Sequence, residues 1–167
     1  MLNLYQIYNE PEILDGYCKH KSKLIDLFNQ EHFNYNFDPI KHILKKEPIT
    51  SYYYAKYVIK DRFIEAESTI LKDSFFTRLY STDIIKDRWL EAEPIIMTDP
   101  VDSHYYAHYI IKDRWIEAEP IIMNDPWAAW MYARHVIKER WFEAEEKIKK
   151  VEHWWIEYCN YFRINVK

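Results

Sequence analysis

His104 and His108 stand four residues apart, a spacing that puts two imidazoles on one face of a helix. Two such rings hold a divalent metal when a third ligand joins them, most recognisably as His-Glu-x-x-His. Here Tyr105 follows His104, and Asp102 is the only nearby carboxylate, placed where it would start a helix. The pair therefore predicts no metal site and no cofactor. Across the seven histidines (His20, His32, His42, His104, His108, His135 and His153) no Ser/His/Asp or Cys/His arrangement emerges. Cys18 and Cys159 make neither a disulfide framework nor a zinc pattern, and both are read as core thiols. Gly16 is the only glycine, which excludes a phosphate-cradling loop or a dinucleotide-binding turn in its usual form.

One cluster remains, an Arg followed closely by Glu-Ala-Glu. It stands at Arg62 with Glu65 and Glu67, and returns at Arg88, Arg114 and Arg140 at a constant period of 26 residues. Paired carboxylates beside an Arg could serve acid–base chemistry or a charged recognition strip. Catalysis needs one site, however, and this chain offers four equal ones. The expected role is a set of ion pairs, within or between copies, that ties a helix-to-helix corner together. The chain is read as non-enzymatic.

The elements that carry these residues follow from the repeat, because a fixed period in this range marks stacked supersecondary units. Four clear copies occupy 48–73, 74–99, 100–125 and 126–151. Pro48, Pro100 and Pro126 open three of them, and Ser74 opens the other. Asp73, Asp99 and Asp125 stand just before an opening residue, which predicts an Asp N-cap followed by a first helix of about 13 residues. A shorter second helix runs through Glu-Ala-Glu to the closing Ile. Pro94 and Pro120 lie about five residues into that segment, so either the Glu-Ala-Glu turn is 3₁₀-like or the regular helix starts near the proline. Residues 1–47 read as an N-terminal cap plus one divergent copy, with Phe28, Phe37 and Leu44 in the repeat's apolar columns. Residues 152–167 read as a capping helix, with Tyr158 in the repeat Tyr column and Cys159 in the Ala column. The expected fold is all-α: one short right-handed αα solenoid over 1–167, built from 26-residue helix pairs with helical caps.

Columns that do not change among the copies form the scaffold. They include Tyr (54, 80, 106, 132), Arg (62, 88, 114, 140) and the closing Ile (70, 96, 122, 148). Two columns do change. The residue two before the repeat Tyr is Tyr52, Arg78, His104 or Trp130, and four residues on it is Lys56, Thr82, His108 or Arg134. Each pair shares one helix face. The mix of aromatic and Arg side chains, enriched in binding hot spots, makes this variable stripe the candidate surface for a protein partner.

Composition sets the class. With 49% hydrophobic and 18% aromatic residues there is ample material for a core. A net charge of −4, and only Lys56, Arg78 and Arg134 as fixed cations on the stripe, argue against a nucleic-acid partner. No apolar run approaches a membrane-spanning length, and the N-terminus lacks a basic region followed by an apolar one. A cytoplasmic, membrane-free protein is expected.

The string Tyr-Ala-x-x-Val/Ile-Ile-Lys-x-Arg-Trp-x-Glu-Ala-Glu-x-x-Ile, here Tyr132 to Ile148, resembles a tandem repeat of uncharacterised proteins from tailed phages and large DNA viruses. Those repeats often read Lys-Gly before Arg-Trp-Pro-Glu-Ala-Glu. This chain has Asp61, Asp87, Asp113 or Glu139 in place of that Gly, and Ile, Leu or Phe in place of that Pro. The resemblance implies the repeat fold and a viral origin, and no activity. The expected function is a protein-binding repeat module that engages a host or viral protein in the host cytoplasm. The alternative is a self-assembling structural protein docking end to end through its aromatic C-terminus (Trp154, Trp155, Tyr161, Phe162).

Overall fold

In this computed structural model, residues 41–165 are described. The expected N-terminal cap and most of the divergent copy, with Cys18, Phe28 and Phe37, lie outside the described residues. Among the described residues every regular element is helical and none is a strand. The chain divides into two compact units, 1–85 and 86–167, and the division falls inside the second clear copy.

The first unit contains α1 (Lys41–Leu44), α2 (Pro48–Tyr54), α3 (Glu67–Ile70) and α4 (Ser74–Tyr80). The second contains α5 (Glu93–Ile96), α6 (Pro100–Tyr106), α7 (Glu119–Ile122), α8 (Pro126–Tyr132), α9 (Phe142–Ile148) and α10 (Glu152–Phe162). In each unit a longer helix packs on the short one before or after it and on the next longer helix: α2 on α3 and α4, α6 on α7 and α8, α8 on α9 and α10. Both units are thus all-α stacks of helix pairs, as the 26-residue period predicts.

The longer helices start as their sequences dictate. Asp73 accepts a hydrogen bond from the Phe76 amide, Asp99 from those of Val101 and Asp102, and Asp125 from that of Ala128. Their ends were not foreseen. After seven α residues the helix widens into a five-residue π turn, at Ala55–Ile59, Ser81–Ile85, Ala107–Ile111 and Ala133–Ile137. The repeat Lys then adopts the left-handed region, with φ of 58° to 62° at Lys60, Lys86, Lys112 and Lys138. The amides of Lys60, Lys112 and Lys138 each close the turn on a carbonyl five residues back, at 2.7 Å. A Cβ makes this conformation costly, so four lysines hold strained backbone at one repeat position.

The tension around the prolines resolves in favour of both alternatives. The Ala92 amide donates to the Trp89 carbonyl in a tight 3₁₀-type turn, and α5 then begins at Glu93 with Pro94 in its first turn, where a missing N–H costs nothing. The Trp115–Ala118 turn and α7 repeat this geometry.

The cores follow the fixed columns. The aromatic column (Phe63, Trp89, Trp115, Trp141), the Ala column (Ala66, Ala92, Ala118, Ala144) and the closing Ile column (Ile70, Ile96, Ile122, Ile148) are buried. The earlier Ile column (Ile59, Ile85, Ile111, Ile137), equally unchanged among the copies, is only partly buried. Ser51, Thr77 and Ser103 hydroxyls donate to the carbonyls of Leu44, Ile70 and Ile96, stitching each longer helix to the short helix before it. Leu44 is fully buried, the role its column predicts. In α10, Tyr158 and Cys159 are buried as their columns require.

Candidate functional site

The Arg and Glu-Ala-Glu residues form a corner clamp. Each Arg pairs through two nitrogens with the second Glu of its own copy, five residues on: Arg62 with Glu67 at 2.7 Å, Arg88 with Glu93 at 2.8 and 2.9 Å, Arg114 with Glu119 at 2.7 and 2.8 Å, and Arg140 with Glu145 at 2.8 and 2.9 Å. That Glu also accepts from the tyrosine of the following copy, at 3.1 Å from Tyr80 to Glu67 and 3.2 Å from Tyr132 to Glu119. The same tyrosine oxygen accepts the amide of the buried aromatic: Phe63 to Tyr80 at 2.6 Å, Trp89 to Tyr106 at 2.8 Å, Trp115 to Tyr132 at 2.6 Å and Trp141 to Tyr158 at 2.7 Å. One hydroxyl therefore closes the corner of one copy from the next. The Glu hydrogen bonds raise the Arg88, Arg114 and Arg140 pKa values. Burial pushes the Tyr106 and Tyr158 hydroxyls up to about 12, with the neighbouring glutamates adding to the shift against the opposing backbone amides. In each clamp the second Glu and the tyrosine hydroxyl are committed to their neighbours.

The first Glu of each copy (Glu65, Glu91, Glu117, Glu143) points outward and is exposed. Lys41 reaches Glu65 at 3.0 Å. In the second unit Glu117 acts on Arg88, and Glu143 on Arg114, only through its field. The Arg–Glu pairs thus form within copies, and at this corner the tyrosine links one copy to the next.

The variable stripe is differently placed from what its composition suggests. Tyr52, Arg78, His104 and Trp130 are buried in contacts within the chain, at 1–9% exposure. Lys56, Thr82 and His108 are partly covered, and Arg134 is exposed. The two columns are completed by a third, one helix further on. Tyr52 donates to the Asp83 carboxylate, and Lys56 reaches the same carboxylate at 2.7 Å. His104 and His108 lie with their ring centres 5.9 and 5.1 Å from that of His135. Trp130 lies 5.3 Å from Tyr161, and the Arg134 guanidinium sits over both rings, at 5.7 and 5.0 Å. Asp83, His135 and Tyr161 occupy one repeat column, and sequence reasoning missed it. Its signal was present, since each lies 27 residues beyond the second stripe residue. Arg78 instead lies over the Phe75 ring at 5.1 Å, and Thr82 donates to the Leu79 carbonyl.

These triads have distinct electrostatics. Burial would raise the Asp83 carboxyl, but hydrogen bonds from Lys56 and Tyr52 outweigh it and hold the pKa down. Burial and the adjacent Asp83 raise the Tyr52 hydroxyl. Burial lowers the His135 pKa, and His108 and Arg134 lower it further. The three imidazoles stack rather than converge on one point. Among the described residues no group of three or more His, Cys, Asp or Glu is arranged to hold a metal. Cys159 is buried with a raised pKa, from burial and then from Glu145, which disfavours the reactive thiolate.

The surface carries one further feature that sequence reasoning passed over. Ile64, Leu90, Ile116 and Phe142 directly follow the buried aromatic of each copy, and they are 63%, 65%, 59% and 65% exposed. Each is followed by an exposed first Glu. Among the described residues no helix is long and apolar enough to cross a membrane. No family model, no curated protein and no solved structure matches the chain.

Proposed function

We propose that the chain is a non-enzymatic protein-binding repeat module. The observation that carries this reading is the exposed apolar column of the second unit, Leu90, Ile116 and Phe142, with Ile64 exposed at the same repeat position in the first. A single exposed leucine needs no explanation, but a large apolar side chain held outward at the same place in four successive copies does. Within the second unit the clamp beneath fixes Leu90, Ile116 and Phe142, so these three are a preorganised set of contacts that pays little ordering entropy on binding. The glutamate beside each apolar residue favours a partner segment in which Lys or Arg flanks apolar side chains. The accessible half of the variable stripe supplies further copy-specific polar contacts in each unit, Lys56 and Thr82 in the first and His108 and Arg134 in the second. The likeness of the repeat to those of viral proteins supports a viral protein that acts in the cytoplasm of its host on a host or viral protein.

The test is affinity capture from host lysate with the full chain and two variants. One carries Leu90→Gln, Ile116→Gln and Phe142→Gln; the other carries Lys56→Ala, His108→Ala and Arg134→Ala. A protein captured by the wild type, lost by the column variant and then shown to bind the purified chain directly supports the reading. A partner retained equally by both variants removes it. A second reading, self-association, is favoured by Ile156 and Tyr161, which stand exposed on α10. Sedimentation showing a monomer across micromolar concentrations excludes that one.

A further inference from the structure

A cavity of about 240 Å³ opens in the second unit, lined by His108, Lys112, His135, Val136 and Lys138. Four of these five side chains are cationic or can become so, and no carboxylate is among them. Each of the other triads engages its cation internally. In the first unit Asp83 occupies the position equivalent to His135, and its carboxylate pairs with Lys56 at 2.7 Å. In the C-terminal triad the Arg134 guanidinium rests on the faces of Trp130 and Tyr161. Only the triad of His104, His108 and His135 replaces the internal anion with a third base, and this is the triad beside the cavity. Lys112 and Lys138 are held at its edge by backbone, because both cap π turns in the left-handed conformation.

We propose that this cavity is a phosphate-binding site, in which the bound oxyanion supplies the negative charge that Asp83 supplies in the first unit. A phosphate accepts from the N–H groups of both imidazoles and from both ammonium groups, the latter as charge-assisted hydrogen bonds. The cavity lies below the ~300 Å³ typical of drug-sized sites, so the ligand is free phosphate or the phosphate of a small ester. The titratable and cationic groups around it are His104, His108 and Lys112 from one copy and Arg134, His135 and Lys138 from the next. The adjacent acids Asp113 and Glu139 are exposed and do not line it. Burial and then the charges of His108 and Arg134 disfavour protonated His135, and a bound anion offsets that penalty.

The experiment is an NMR titration of the full chain, following the imidazole carbons of His108 and His135, with sodium phosphate against sodium chloride at matched ionic strength. Glycerol phosphate and acetate form two further arms. Saturable shifts with phosphate are expected, larger than those with chloride at the same ionic strength. The variant His135→Asp rebuilds the internal anion of the first unit, so it should keep its helical circular dichroism and lose roughly tenfold or more in phosphate affinity. A second variant, Lys112→Gly with Lys138→Gly, suits the left-handed backbone and should also weaken binding. Tighter binding of glycerol phosphate identifies an ester ligand, and tighter binding of inorganic phosphate identifies the free ion. Shifts no larger than those with chloride, acetate binding as well as phosphate, or unchanged affinity in both variants would overturn the proposal.

Discussion

The tyrosine hydroxyl shows how one atom can carry a repeat. Tyr132 Oη accepts the Trp115 amide and donates to Glu119, which in turn holds Arg114. Removing that oxygen strands a buried amide and weakens a buried carboxylate's coordination. Tyr132→Phe should therefore destabilise the protein by about 1–3 kcal/mol in urea unfolding, although it deletes only one oxygen. A Tyr132/Glu119 double-mutant cycle should show coupling, and strict additivity would mean that the two act independently. Trp115→Ala should cost about 3–5 kcal/mol, because the indole is buried and the clamp prevents collapse around the hole. A loss under about 1 kcal/mol would contradict that packing.

At the scale of the element, the unusual feature is how each longer helix ends. The seven-residue α segment must turn back within a few residues to place the next aromatic in the core. The π turn widens the last turn by one residue, and the left-handed Lys reverses the chain. Glycine would adopt that backbone without the Cβ penalty. Lys60→Gly, at an exposed position with φ of 58°, should raise stability by about 1 kcal/mol, read as a higher urea midpoint at constant slope. Lys60→Val should lower it, because a β-branched side chain fits the left-handed region worst. Equal midpoints for the two variants would show that the turn is not strained.

For the whole molecule, the recurring clamps couple stability to alkaline pH. Tyr80, Tyr106, Tyr132 and Tyr158 all have raised pKa values, chiefly from burial, and two of them reach about 12. An unfolded tyrosine ionises near pH 10, so above that the unfolded chain releases protons that the folded chain retains. Stability from these groups is fully present below about pH 10 and is lost as the pH rises toward about 12. Urea midpoints should stay level to about pH 9 and then fall steeply, in step with the tyrosinate absorbance of unfolding. A level profile through that window would mean that the hydroxyls are not held as described.

The sequence by itself determined the repeat, its all-helical class, the buried columns and the Asp caps. These depend on short-range facts, namely a 26-residue period, an apolar spacing and an oxygen two or three residues before an amide. It also placed Tyr158 and Cys159 correctly, because a capping helix inherits its columns from the copies before it. Only the tertiary structure decided which Glu each Arg takes, since that choice depends on the turn between them bringing Glu93 rather than Glu91 back toward Arg88. The tyrosine clamp joins residues 17 apart in the chain, beyond any helical period. The same holds for the triads: Tyr52, His104 and Trp130 change from copy to copy, which reads as a variable surface until Asp83, His135 and Tyr161 are seen packed against them. The outward column of Ile64, Leu90, Ile116 and Phe142 was equally hidden, because one aromatic–apolar pair looks like core in sequence and only the packed corner sends its second member into solvent.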